Sequence, residues 1–180
     1  MRPRVVFSPQ YALDDRDHAF ATRKFALAAK VLSVAGADLS VPEEPTRGDL
    51  LLAHDAAWVD KVTTASLSEA EIKRLDLPFT PAVSLAHRLA VGGTILAARH
   101  ALKNGVGLHS GGGAHHAFRG HGEGYCVVND IAVAILKLRA EGAIRRAAVV
   151  DLDVHQGNGT AAIFEEIGRA SCRERVYGTV

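Results

Sequence analysis

The chain has 180 residues, 48% of them hydrophobic and 23% charged, which suits one soluble globular domain or a large piece of one. Its 21 basic and 20 acidic side chains leave a net charge of +1. That balance excludes the basic footprint of direct nucleic-acid binding and the charge that would hold an anionic membrane. Two cysteines, Cys126 and Cys172, are too few for a disulfide framework. The sequence shows neither a signal-peptide core nor a window of about eighteen apolar residues. The expectation is a cytoplasmic protein with reduced thiols.

Arg4–Phe7 predicts a first strand, ended by Ser8 and Pro9. From His18 to Ala35, apolar Phe20, Phe25, Leu27, Ala28, Val31, Leu32 and Ala35 recur at helical spacing, and Gly36 follows as a stop. Asp49–Val62 combines a short apolar run with the start of a second helix. Ser68–Leu75 predicts a third, with Ser68 and Glu71 placed as a capping box. Pro78 and Pro81 break the chain before a long Ala-rich helix, Val83–Leu102. Gly92 and Gly93 inside it imply close packing against a neighbour.

Gly105–His109 reads as a short strand, followed by a Gly- and His-rich loop from Ser110 to Gly124. Val128–Gly142 is helical, with Asn129 or Asp130 near its start. Ala147–Val154 is a nearly continuous apolar run, as expected of a central parallel strand buried on both faces. Gly157–Gly159 turns the chain, and Thr160 is placed to cap a helix Ala161–Glu166. Strands alternating with helices predict an α/β domain with a mostly parallel sheet. Ligands of such sheets gather at the C-terminal ends of strands, where two of the polar clusters fall.

The first cluster is Asp151, Asp153 and His155. At a spacing of two on a strand these side chains share one face. Two carboxylates at the end of a buried strand are costly unless compensated, and a divalent transition metal is the simplest compensation for oxygen and imidazole donors. A helix-capping Asp and a loop His would explain only one of the three. The second cluster is His115 and His116 within Gly111–Ala117. Imidazole can take a proton from an attacking water and give one to a leaving amine. By itself, a solvated loop would account for this pair; the downstream Asp151–His155 segment gives it weight. The third is Gly122–Asp130, in which Gly124 and Tyr125 could wall a narrow slot; a helix start with a packed aromatic suits the same residues equally well. The other histidines (His18, His54, His87, His100, His109 and His121) read as solvated or structural, and Trp58 as core.

Taken together, Gly112-Gly113-Ala114-His115-His116-Ala117, Gly124-Tyr125-Cys126 with Asn129-Asp130, and Asp151-x-Asp153-x-His155-x-Gly157-Asn158-Gly159 resemble the histone-deacetylase superfamily. That superfamily embraces histone deacetylases, acetoin-utilisation proteins and acetylpolyamine amidohydrolases. The likeness runs from about Arg4 to Phe164 and is strongest to a bacterial branch near class IV; Leu51–Val59 and Leu77–Pro81 share it. It implies a three-layer αβα fold of the arginase/deacetylase type, incomplete in this chain. It also implies hydrolysis of an acetyl amide with Zn(II), or Fe(II) as the alternative in so oxygen-rich a site.

By the same resemblance, Asp153 and His155 are two of three metal ligands. His115 and His116 are the tandem histidines beside the attacking water. Asp151 orients His115, and Asn158 stands where many members carry the aspartate that orients His116. A neutral amide supports an imidazolium far less than a carboxylate does, so His116 is the expected general base. Gly124 and Tyr125 wall the tunnel for an acyl-lysine stem, where many members have Phe, and Asp76 matches a rim aspartate that grips the substrate backbone. The implied partners are acetylated lysine in a protein or peptide, or a small acetyl amide.

The chain departs from the pattern after His155: neither the third ligand, an aspartate, nor the oxyanion tyrosine follows, and Tyr177 lacks the expected glycines before it. Residues 167–180, beginning Ile167-Gly168-Arg169, resemble the translation of a sequencing-adapter oligonucleotide. Residues 1–166 are therefore read as the N-terminal part of one deacetylase domain and 167–180 as a non-native tail. A sheet cut short would expose an apolar edge, so the 180-residue polypeptide is expected to be poorly soluble and inactive. Two other functions suit parts of the pattern: a binuclear arginase-type metallohydrolase and a non-catalytic acyl-lysine binding module.

Overall fold

The computed structural model describes residues 4–13 and 20–166. At its centre β1 (Arg4–Val6) pairs in parallel with β2 (Asp38–Ser40) on one side and β3 (Leu108–His109) on the other. In register, Val5 faces Leu39 across one ladder and Leu108 across the other. Val5 and Val6 point to opposite faces of the sheet, and both are wholly buried. Both faces of β1 are therefore covered, as a parallel sheet requires. Helix α1 (Arg23–Val34) packs against β2, and α5 (Pro81–Asn104) packs against β1, β3 and the 3-10 turn Pro9–Tyr11.

Three short helices, α2 (Arg47–Leu51), α3 (Ala56–Thr63) and α4 (Glu69–Leu75), lead into α5. Helix α6 (Asp130–Ala140) lies along α5, and α7 (Asn158–Glu166) lies on α6. Trp58, Val62, Leu75, Val91, Val127, Val133 and Ile163 form the main apolar core between these helices. The expected α/β architecture with a parallel sheet is present.

Local chemistry explains the helix ends. Ser68 and Glu71 form both halves of the capping box that starts α4. Thr80 caps α5 through the Val83 amide, Pro81 follows at its first position, and Gly105 closes it at φ +85°. Gly92 is required by close approach: a Cβ there would overlap the Glu43 backbone carbonyl. By length and composition α5 could cross a bilayer, contrary to the sequence expectation; half of its apolar window is buried within the fold, as befits a core helix.

The sequence expectation fails most clearly at Ala147–Val154, which forms no strand. Val150, Leu152 and Val154 are 81%, 91% and 81% exposed. A parallel strand needs a neighbouring ladder and two covered faces, and no described strand flanks this segment. Helix α1 begins at Arg23, leaving Phe20 ahead of it, and Leu27 and Val31 are exposed rather than core. Helix α7 begins at Asn158, so Thr160 lies inside it rather than capping it. His18, Cys172, Tyr177 and the expected tail 167–180 lie outside the described residues.

Candidate active site

A cleft of about 480 Å³ opens between the start of α5, the Gly111–His116 loop, the Gly124–Val128 stretch and the Asp153–His155 segment. Its glycine loop is tied down by Asp130, the first residue of α6, which is 1% exposed. The Asp130 carboxylate accepts the amides of Gly113 at 3.0 Å and Ala114 at 2.8 Å, and the hydroxyl of Thr94. Thr94 Oγ1 also meets His109 Nδ1 at 2.9 Å, and His109 Nε2 meets the Tyr11 hydroxyl at 3.0 Å. Burial lowers the pKa of His109 and, with Asp130 nearby, holds the Tyr11 phenol above its usual range. This chain of side chains runs from the sheet to the loop that carries the tandem histidines.

His115 and His116 lie side by side, ring centroids 4.1 Å apart, and both line the cleft. His115 Nδ1 is 2.7 Å from Asp151 Oδ2, and a carboxylate can only accept, so Nδ1 carries the proton. His116 Nδ1 is 2.7 Å from Asn158 Oδ1, which also accepts the Gly159 amide at 2.9 Å. The Asn158 amide nitrogen donates to Glu123 Oε1 at 3.0 Å. The main chain of His115 is fixed as well: its carbonyl accepts the amide of Thr160, in the first turn of α7.

Asp151, Asp153 and His155 converge here without the expected strand. Asp151 Oδ1 accepts the Asp153 amide at 3.0 Å, and Asp153 Oδ1 accepts the His155 amide at 2.8 Å. Two successive Asx turns thus supply the partners that a ladder would have given. Asp153 Oδ1 lies 3.0 Å from His155 Nδ1 and 3.9 Å from His115 Nε2, and the His155 ring is 5.9 Å from that of His116. The hydrogen bond from the His155 amide is the leading cause that lowers the Asp153 pKa.

The oxygen and nitrogen donors of Asp153 and His155 suit a divalent zinc or iron ion, and their 3.0 Å separation is close enough for both to reach one ion. Among the described residues no group of three His, Cys, Asp or Glu side chains is arranged to hold a metal. The pair therefore fits two of the three protein ligands that a catalytic site of this kind uses.

The slot wall is built from strained backbone. Gly124 and Tyr125 have φ of +53° and +67°, and the Tyr125 amide donates to the Leu75 carbonyl at 2.8 Å. Phe20 stacks on the Tyr125 ring at 5.4 Å. The Tyr125 hydroxyl hydrogen-bonds Asp76, which raises the phenol pKa. Asp76 is the left-handed C-cap of α4, at φ +53°, and lines the same cleft. His87 is part of the opposite wall, where burial pulls its pKa down to about 4.

Sequence reasoning brought together all nine candidate residues but passed over their supports. In the sequence Asp130 stands out as a helix-start residue and as part of the Asn129-Asp130 motif, with no sign that it ties down the glycine loop. His54 was counted among the scattered histidines, yet it is 1% exposed and takes the Asn129 amide on Nε2 at 3.0 Å. Its Nδ1 then donates to the Arg119 carbonyl at 3.2 Å. Asn129 in turn donates to the Ala117 carbonyl and the Thr160 hydroxyl, at 3.1 and 2.9 Å, bracing the chain just past His116. Cys126, beside the wall, is buried, and its thiol pKa is pushed up to about 12.

With this geometry in place, likeness to known proteins is informative. The family model described as the histone deacetylase domain matches residues 18–176. An uncharacterized protein of Picosynechococcus sp. is 38% identical over 167 residues, covering 90% of this chain and 56% of that protein. A probable deacetylase of Methanothermobacter thermautotrophicus is 30% identical, covering 89% and 50%. The acetoin utilization protein AcuC of Bacillus subtilis is 31% identical, covering 91% and 46%. The crystal structure of the HDA15 HD domain superposes with a TM-score of 0.76 at 27% identity, covering 91% of this chain and 50% of that one. The chain spans about half the length of these relatives.

Proposed function

Since this chain belongs to the histone deacetylase family, we propose that the protein carrying it hydrolyses the acetyl amide of acetylated lysine or of a related small amine. The observation that carries this reading is the pair of tandem histidines. Each ring is held through Nδ1 by its own partner, Asp151 or Asn158, and both line one cleft with Asp153 and His155. With both Nδ1 atoms so engaged, each ring directs Nε2 to the reaction.

His116, paired with a neutral amide, takes the proton of the attacking water at Nε2. The water oxygen bonds to the acetyl carbon, the carbon–nitrogen bond breaks, and the leaving amine takes a proton from a histidine. His115, set against the Asp151 carboxylate, is the ring whose cationic form has a compensating charge beside it. Asp153 and His155 would hold a divalent zinc or iron ion, which when bound polarises the acetyl carbonyl and makes water more acidic. Tyr125, Gly124 and Phe20 form the wall for an apolar amine stem, and Asp76 stands at the same wall for the substrate backbone.

The test is acetate release from acetyl-lysine peptides and from acetylated polyamines by the full-length protein, with metal content measured in parallel. The expected outcome is turnover with one zinc or iron per chain, lost in His116→Ala. Two metal ions per chain would instead support an arginase-type site, and peptide binding without acetate release a binding module. The expected poor solubility and inactivity of the 180-residue polypeptide are checked by the same assay on that polypeptide.

A further inference from the structure

We propose that Glu123 is a positioning residue for His116, acting through the side-chain amide of Asn158. Its catalytic consequence rests on the deacetylase reading above; its geometric consequence does not. The Glu123 carboxylate can only accept a hydrogen bond, and it faces the Asn158 side chain at 3.0 Å. The Gly159 amide can only donate, and it faces the other end of the same side chain at 2.9 Å. Together these partners fix which end is oxygen and which is nitrogen.

The oxygen is thereby presented to His116 Nδ1 at 2.7 Å, so the ring must donate from Nδ1 and keep its lone pair on Nε2. Glu123 thus selects the tautomer that a general base needs. The carboxylate also polarises the amide toward the ring, since hydrogen bonds in a chain reinforce one another. Gly124 makes the reach possible: a Cβ there would stand 2.9 Å from His116 Cδ2, so the chain beside Glu123 presses directly on the ring. On its outer side Glu123 Oε2 lies 3.7 Å from His121 Nε2. The negative charge that sequence reasoning found missing at Asn158 is present one residue further out.

The experiment uses the full-length protein with Glu123→Leu, Glu123→Gln, Asn158→Asp and the Glu123→Gln/Asn158→Asp pair. Nitrogen-15 spectra of the His116 ring and steady-state kinetics are both read. In Glu123→Leu the ring is expected to populate the Nε2–H tautomer. Its kcat should fall roughly 10–100-fold, as for other partners that orient a site histidine, with KM little changed. Glu123→Gln, which can still accept from the amide, should keep the tautomer and lose less. Asn158→Asp sets two carboxylates face to face and should lose activity, and adding Glu123→Gln, whose amide can donate to the new carboxylate, should restore most of it. An unchanged tautomer in Glu123→Leu, or a double variant no better than Asn158→Asp, overturns the proposal. If the unaltered protein releases no acetate, the deacetylase reading falls while the ring spectra still decide the role of Glu123.

Discussion

Asp130→Ala is the substitution expected to do most damage for its size. Asp130 is 1% exposed, and its two oxygens accept the amides of Gly113 and Ala114 and the hydroxyl of Thr94. Removing the carboxylate leaves the amide of half-buried Ala114 without its partner, at about 1–3 kcal/mol, while the amide of exposed Gly113 can turn to water at little cost. The loss is about 2 kcal/mol, which at about 2–4 °C per kcal/mol lowers Tm by roughly 4–8 °C. Asp130→Asn should cost less, about 1 kcal/mol, because one oxygen still accepts an amide. Its new amide would then donate to Thr94, whose hydroxyl can turn to His109 Nδ1. The assay is thermal unfolding with hydrogen exchange read at Gly113 and Ala114. If Asp130→Ala unfolds within about 0.5 kcal/mol of the unaltered protein, and those two amides stay protected, Asp130 does not anchor the loop.

Other consequences follow from the same geometry. Gly92→Ala should destabilise even though Ala is the better helix former by about 1 kcal/mol, because the new Cβ overlaps the Glu43 carbonyl and α5 must shift; a raised Tm would contradict this. Cys126, buried and with its pKa pushed up to about 12, should resist iodoacetamide at pH 8 in the folded protein and react once it is unfolded, as peptide mass mapping would show. His54 should make stability acid-sensitive. Burial lowers its folded pKa from 6.5 to about 4, so the unfolded chain takes up a proton there that the folded one refuses. Stability is then full above about pH 6.5 and falls as pH drops toward 4, by at most about 3 kcal/mol from this group. Protonation would also set an Nε2–H against the Asn129 amide donor. Denaturant titrations of His54→Gln between pH 7.5 and 4.5 should show a shallower slope than the unaltered chain, and an equal slope would remove His54 from the account.

What could be read from the sequence was what neighbours in sequence decide. The capping box of Ser68 and Glu71 closes within three residues; Pro81, expected only as a break, and Gly105, expected in a strand, instead bracket α5. Ala147–Val154 shows the limit of that reasoning. Its composition is that of a buried strand, but strand formation depends on a ladder and two covering faces elsewhere in the chain, and none of the described strands supplies them. The backbone amides instead turn to Asp151 and Asp153, the nearest acceptors. The site survived the failure of its predicted scaffold because the turn links are themselves local: a donor two residues from each aspartate is available with or without a sheet.

The supports of the site were hidden for the opposite reason. Asp130 meets Gly113 from 17 residues away, and Glu123 meets Asn158 from 35. Nothing in its own neighbourhood separates an aspartate that merely favours a helix N-terminus from one that pins a loop. The exchange of a carboxylate for Asn158 illustrates the same point. Read alone, it removes the charge behind His116; read with Glu123, it moves that charge outward by one hydrogen bond and leaves the ring with a fixed donor direction. His115 touches its carboxylate directly and His116 reaches one only through an amide, so the two rings differ in their partners. Under the proposed deacetylase reaction, that difference in partners, rather than the identity of either histidine, would divide base from acid between two chemically identical side chains 4.1 Å apart.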